Sequence, residues 1–472
     1  LIENLIYSSP IITLVCGLLF LCFLHRFDKE RRKCFRLCKL TILTGFCLTV
    51  IFYNKTAFPE LARPNLFTLL FQIMMYLTAL ATFYLSRKWY YNMNESGYLF
   101  CGGLLISLIA GNLLTSSVNL GLTTLAIGLL LTGNYFLLKH ADKKKEIYTS
   151  RQIYAVVATI VYTLLLATTL IFYYRTQDLS YETLQTYLAE NASNSATFCL
   201  ASLLIFAFIF LLGAAPLHYW FTETMGQIIL PVLTYFILVP VCPVIGAFIR
   251  LHTLLLSPLN NLFYIFFAGI SFLSIGIGAL GACSGKNLRK IFAYSSVYHL
   301  GIVILMFQNF SYTSVQSAFV YLFVYLLAMY GICASLFGIK SKGEYLFMLS
   351  DFEGVSYKRP YISAMLTVFL FSLIGFPPFL GFVGELTILN NLAQNGHLYQ
   401  MMYLFAAMVV IAYAYLQIIK TIYFTDNHTP FDRADTGIYI AVLIDLLIMS
   451  ALILQPLYFA QDLDFMLGAM WE

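Results

Sequence analysis

The sequence predicts an all-α polytopic membrane protein of about 14 transmembrane helices. Three observations carry this. First, 60% of the 472 residues are hydrophobic and 10% are charged, against about 45–50% and about 25% in soluble domains; the mean hydropathy is +0.82. Second, the apolar residues fall in runs near the ~20-residue length that crosses a bilayer as a helix, without the alternation over about ten residues that marks a transmembrane β-barrel. Third, Lys and Arg collect in every second connection. The composition excludes a disordered chain, a nucleic-acid-binding module and most cytosolic enzymes. A net charge of +5 over such a length is no polyanion footprint.

The runs place spans 1 to 14 at 8–24, 38–53, 64–86, 96–115, 117–138, 153–174, 196–214, 229–250, 260–282, 290–308, 312–338, 360–391, 400–423 and 437–459. The first run, Ile11–Leu24, is followed by a basic stretch rather than a small-residue cleavage site, so it reads as a span and not as a signal peptide. Of the 27 Lys and Arg residues, 23 fall in odd-numbered connections. They include Arg26, Lys29, Arg31 and Arg32 after span 1, Lys143, Lys144 and Lys145 after span 5, and Lys286, Arg289 and Lys290 after span 9. The even connections hold only Lys55, Arg63, Arg175 and Arg250. A missed or extra span would break this alternation. The positive-inside bias places the odd connections on the matrix or cytoplasmic side and both termini on the other.

Helix breaks are the next signal. Gly213-Ala-Ala-Pro216 ends span 7. Gly375-Phe-Pro377-Pro378 lies in the middle of span 12, a run too long for one straight helix. Pro240 and Pro243 interrupt span 8. After the breaks in spans 7 and 12 an acid follows the last proline by seven residues, at Glu223 and Glu385. Irregular backbone at membrane depth is tolerated only where protein or a water-lined cavity satisfies it, and interruptions at corresponding places in two halves suggest an inverted-repeat transporter.

Ionisable groups inside the bilayer are costly and mark function by default. Mid-span candidates are Glu385 in span 12, His299 in span 10 and Asp445 in span 14, with Lys290 at the mouth of span 10. A carboxylate and an imidazole can relay protons because burial and neighbours tune both toward neutral pH. The alternatives are a capping role for Glu385 at the proline break and an interhelical hydrogen bond for His299. Asp445 reads as a helix-interface contact, since no second polar group accompanies it along its span. His218 and Glu223, beside Trp220, read as loop anchors. The ten cysteines lie mostly in apolar runs, with no zinc-type or cluster-type spacing, so neither a disulfide nor a metal is expected. No phosphate-binding, dinucleotide-binding or nucleophile-elbow motif occurs.

Three stretches carry a family resemblance. Leu212-Gly-Ala-Ala-Pro216-Leu-His218-Tyr-Trp220, Asn287-Leu-Arg-Lys290-Ile-Phe-Ala-Tyr294-Ser-Ser296-Val-Tyr-His299-Leu-Gly301 and Ser372-Leu-Ile-Gly375-Phe-Pro377-Pro378-Phe-Leu-Gly381-Phe-Val-Gly384 resemble three signature segments of the antiporter-like subunits of respiratory complex I. The doubled proline and Asp351-Phe-Glu-Gly354 are most similar to subunit 2, the N-type. The match covers roughly residues 95–425.

The resemblance implies two inverted five-helix repeats, spans 4–8 and 9–13, with broken helices 7 and 12. The chain then divides into 1–94, an N-terminal three-helix segment; 95–253, the first repeat; 254–425, the second; and 426–472, carrying span 14. It also implies a place in the membrane arm of the proton-translocating NADH:ubiquinone oxidoreductase, as a subunit without a catalytic centre. Neighbouring antiporter-like subunits and lipids are then the partners. NADH, FMN, iron–sulfur clusters and quinone belong to other subunits, and none is bound by this chain.

The departures from the pattern are specific. The positions of the family's helix 5 glutamate and its helix 7 and helix 8 lysines fall on Gly128, Leu211 and Val241. The helix 12 lysine is Glu385. Apolar side chains cannot take up protons, so the resemblance implies a degenerate relay axis and a mainly structural role. Residual conduction through Lys290, His299, Glu385 and ordered water is the other reading. A stand-alone Mrp-type cation/proton antiporter subunit is the alternative identity, and would be expected to keep the missing lysines. The aromatic bias (42 Phe, 34 Tyr) and the lost axis residues favour a mitochondrial inner membrane over a bacterial plasma membrane.

Overall fold

A computed structural model describes residues 2–27, 31–93, 97–140, 145–425, 430–454 and 467–468. The predicted end of span 14, the boundary at 94–95, Lys29, Lys143 and Lys144 lie outside them. The chain is an integral membrane protein of helices. Spans 1 to 6 are Ser9–Phe27, Arg31–Ile51, Leu66–Asn92, Tyr98–Ser116, Leu120–His140 and Lys145–Thr176. Spans 9, 10, 11, 13 and 14 are Asn260–Cys283, Leu288–Met306, Tyr312–Phe337, Leu398–Phe424 and Thr436–Leu454.

Three spans are divided. Span 7 is Ser195–Leu212 followed by Tyr219–Met225; span 8 is Leu230–Leu238 and Val241–Leu251, parted at Val239–Pro240; span 12 is Pro360–Ile374 and Leu380–Gln394. Among the described residues, 12 helical stretches are long and apolar enough to cross a membrane. The difference from 14 has two causes. Leu230–Cys283 runs on as one apolar helical stretch that contains both spans 8 and 9, and each half of span 12 is only 15 residues long.

Local chemistry starts several helices. Asn65 and Thr68 form a reciprocal capping box at span 3, and the Asn287 and Ser311 side chains cap spans 10 and 11, each satisfying an amide that the first turn leaves unpaired. One helix was not expected. Tyr181–Glu190, between spans 6 and 7, buries Tyr181, Leu184 and Leu188 on one face and is capped by Ser180. The Asp178 carboxylate accepts bonds from the hydroxyls of Ser180 (2.5 Å) and Thr183 (2.7 Å), which hold it below its ordinary carboxylate range. The small departure from an all-α chain is a hairpin, Lys340–Ser341 with Glu344–Tyr345, in the connection after span 11.

The connections sort by parity. Among the even ones, Arg63 N–H donates to Ser116 O (2.9 Å), Tyr181 N–H to Val118 O (2.9 Å) and Gln185 Nε2 to Ser257 Oγ (2.8 Å). These bonds tie connections 2, 4, 6 and 8. Asn309 and His397 pair connection 10 with connection 12. Among the odd ones, Leu288 N–H donates to Phe347 O and Asp432 N–H to Lys340 O, each at 2.8 Å, and Arg359 donates to Phe431 O (2.8 Å). No connection would meet its own parity class this way if a span had been miscounted.

The chain forms two compact units. One comprises Leu1–Leu212 with Pro231–Leu262; the other comprises Gly213–Leu230 with Phe263–Asp464. This grouping cuts across the predicted 95–253 segment, because Gly213–Leu230, just past the break in span 7, packs with the later spans.

Candidate functional site

The two broken helices share a local design. Span 7 stops at Gly213 (φ 65°) and span 12 at Gly375 (φ 76°), both left-handed, and each is followed three residues later by a cis proline, Pro216 or Pro378; Pro377 provides the other side of the latter peptide bond. A serine hydroxyl takes up an amide freed in each break. Ala215 N–H donates to Ser274 Oγ (2.9 Å) and Gly381 N–H to Ser372 Oγ (3.0 Å). That is how interrupted backbone survives at membrane depth.

The acids beyond the breaks diverge. Glu223, on Tyr219–Met225, receives the Lys290 ammonium, with Nζ at 2.9 Å from both carboxylate oxygens. The pair is partly exposed, 36% for Lys290 and 25% for Glu223. Beside it, Arg289 donates to Ile228 O (2.7 Å) and Asn287 to Gly226 O (3.3 Å). The start of span 10 thus clamps the connection between spans 7 and 8. Glu223 anchors, as expected. Lys290 is drawn into this clamp and away from His299, about 13 Å further along the helix at 1.5 Å per residue.

Glu385 folds back against the break. It is 7% exposed, and a side chain at Gly375 would occupy the space its carboxylate fills. The neighbouring Gly384 lies against Tyr321 of span 11. Tyr321 in turn holds His299. The imidazole is 2% exposed, with Nδ1 2.7 Å from the Tyr321 hydroxyl and Nε2 2.9 Å from that of Tyr415. Tyr415 continues to Ser295 Oγ at 2.5 Å. The Tyr325 ring stacks obliquely at 5.0 Å, its hydroxyl donating to Ser296. The result is a buried hydrogen-bonded line, Ser295–Tyr415–His299–Tyr321, ending against the helix turn that carries Glu385. A neutral imidazole accepts at one nitrogen and donates at the other, so a tautomer exchange carries a proton across it without leaving charge on a tyrosine.

Among its described residues, the first unit shows no buried pairing of a histidine with a carboxylic acid. Gly128 faces span 6, where a side chain would collide with the Tyr162 ring and hydroxyl. Leu211 is half-buried one residue before the last of its helix, and Val241 is buried just past the gap in span 8. Among the described residues, the buried ionisable groups of the unit other than Cys and Tyr are Arg250 and His252 at the end of span 8. Arg250 donates to Ser117 O (3.0 Å) and Arg63 O (2.6 Å), stapling connections together. One buried polar line of the unit joins neutral side chains. The Tyr235 hydroxyl donates to Asn134 Oδ1 (2.7 Å) and meets Ser107 Oγ (2.5 Å), and the Tyr154 hydroxyl of span 6 donates to Leu131 O (3.1 Å).

Residues 117–412 match the family model described as NADH:quinone oxidoreductase/Mrp antiporter, TM. The chain belongs to this family. It is 27% identical over 381 residues to NADH-quinone oxidoreductase subunit N of Acinetobacter baumannii, an alignment covering 78% of this chain and 75% of that one. Against other subunits N the chain spans about half their length. Its fold is that of a chain in respiratory complex I from Thermus thermophilus, with TM-score 0.79, 22% identity and coverage of 95% and 97%. It is equally that of a chain in the Mrp complex from Dietzia sp., with TM-score 0.85, 14% identity and coverage of 99% and 98%. Within this family fold, the structure holds His299 on Tyr321, which lies against Gly384, the residue before Glu385, and leaves Lys290 with Glu223. Tyr321, Tyr415 and Ser295 escaped the sequence reading. Among 34 tyrosines nothing in spacing distinguishes the two that face one imidazole.

Proposed function

We propose that this chain is a membrane-arm core subunit of a proton-translocating NADH:quinone oxidoreductase, and that its proton-handling groups are confined to spans 9–13. The alignment with subunit N over three quarters of both chains carries the membership. The line from Ser295 to Tyr321 beside buried Glu385 supports the site. On this reading a proton enters near Ser295, crosses His299 by tautomer exchange and reaches Glu385, which holds and releases it. Lys290 and Glu223 keep the entrance helix in place. The first unit, with Gly128, Leu211 and Val241 at the degenerate positions, serves as a structural link in the arm. The five-helix repeats 95–253 and 254–425 are related by inversion, which the like breaks in spans 7 and 12 support.

NADH, FMN, iron–sulfur clusters and quinone are held by partner subunits, and this chain contributes no redox centre. Its partners are neighbouring antiporter-like subunits and lipids. The membrane is an energy-coupling one, with the odd connections on the matrix or cytoplasmic side; a mitochondrial inner membrane is favoured. The likeness to a chain of an Mrp complex supports a second reading, a cation/proton antiporter subunit. Affinity purification of the tagged chain from its native membrane separates them. NADH:quinone reductase activity in the eluate is expected. Recovery in a complex that exchanges Na⁺ for H⁺ after reconstitution, and oxidises no NADH, would overturn the reading.

A further inference from the structure

Span 14 carries one ionisable side chain at its centre. Ile438, Ala441, Val442, Asp445 and Met449 form its buried stripe at helical spacing, packed on span 11 and on both halves of span 12. Ile438 lies opposite Gly338 at the end of span 11. Asp445, seven residues further on, is therefore about 10 Å deeper along the helix. It is 1% exposed, and neither carboxylate oxygen has a hydrogen-bond partner among the described residues. The expectation of an interface contact is met in position only, because the side chain makes no polar contact with the helices it packs on.

An ionised carboxylate in that setting has lost its water and gained no donor, the costliest state open to it. A carboxylic acid there needs only one acceptor for its O–H, and a backbone carbonyl one turn back on its own helix can serve. Along the same stripe, two turns further on, Leu452 borders a cleft of about 400 Å³ between spans 11 and 12, lined also by Thr313, Gln316, Thr387 and Asn391. We infer that Asp445 is a second proton-binding carboxyl group of this unit, off the His299–Glu385 line, exchanging its proton through this cleft toward the face of the even connections.

The test uses the intact complex in its membrane. Infrared spectra of wild type and Asp445→Asn are compared, and the isosteric variant keeps the packing. Loss of a protonated-carboxyl C=O band in the variant is expected. Coincident spectra in that region, or loss of an ionised-carboxylate band instead, overturn the inference. Dicyclohexylcarbodiimide gives a second readout. The acid proton passes to a carbodiimide nitrogen, the carboxyl oxygen bonds to the central carbon, and acyl transfer to nitrogen leaves a stable adduct. Mass spectrometry should find that adduct on the Asp445 peptide, and a reaction at Glu385 that spares Asp445 counts against the inference. Where neither group reacts, the infrared comparison decides. Hydrogen–deuterium exchange of the Asp445 band should slow severalfold in Asn391→Leu, and an unchanged rate removes the cleft from the proposal.

Discussion

The breaks in spans 7 and 12 are built alike and end differently. Each has a left-handed glycine, a cis proline three residues on, a serine hydroxyl under a freed amide and a glutamate seven residues past the proline. At span 7 that glutamate meets Lys290 near a connection and is partly wet. At span 12 it is buried against Gly375, one residue past the glycine that lies on Tyr321. The local sequence sets the break, but the facing helix sets what the acid can do. A carboxylate that receives a lysine ammonium on both oxygens works as an anchor. One without a cation is free to bind and release a proton. The same contrast recurs in the buried polar lines, where Asn134 sits against Tyr235 and His299 against Tyr415. An amide passes hydrogen bonds but does not titrate.

The largest effect is expected at Glu385. Glu385→Gln should lower proton translocation per electron pair in reconstituted vesicles, with the step through this subunit slowed about a hundredfold, in the range lost when a proton-transfer group is removed. Glu223→Gln should leave it nearly unchanged. Equal losses would erase the distinction between the two breaks. Gly375→Ala comes next. It forces a side chain into the left-handed region, at about 1–2 kcal/mol, and into the space of the Glu385 carboxylate. We expect a destabilised complex, read as a lower melting temperature and weaker assembly on native gels. Gly213→Ala, whose new methyl would meet the Phe221 ring, should destabilise comparably while sparing proton transfer in whatever complex assembles.

Tyr415→Phe and Tyr235→Phe sharpen the second contrast. Each removes a buried hydroxyl bonded on two sides, and each should cost about 1–3 kcal/mol, measurable by thermal denaturation of the complex. Only Tyr415→Phe interrupts a line with a titratable member, so only it should also lower proton translocation. If both variants conduct equally, His299 is a packing residue.

These contrasts were partly legible in the sequence. Hydropathy, the alternation of Lys and Arg and the Gly–Pro clusters made most of the spans and the places where helices break legible, because each depends on local composition alone. The apolar character of Gly128, Leu211 and Val241 was equally plain. What could not be read was which side chains meet. Lys290 and His299 lie on one helix and look like one path, yet the stub beyond the span 7 break captures the first and two distant tyrosines hold the second. Asn134 gave no signal, being one more amide in an apolar run. The helix Tyr181–Glu190 was missed because its amphipathic stripe is too short to stand out between two long apolar spans.

The smallest effect belongs to the pair that looks strongest on paper. Lys290 places its ammonium on both oxygens of Glu223, but both side chains remain in partial contact with solvent. Such pairs contribute about 0–1 kcal/mol, since Coulomb attraction is offset by desolvation and by the entropy of fixing two long side chains. Lys290→Met should therefore lower the melting temperature only slightly and leave translocation near wild type. The backbone bonds from Arg289 and Asn287 still hold the connection. The wild-type excess over this variant should shrink further in high salt, as screening removes what attraction the solvent has left. If Lys290→Met instead abolished translocation at unchanged stability, the lysine would be the entrance of the proton line, and the anchor reading of the span 7 break would give way to two working breaks.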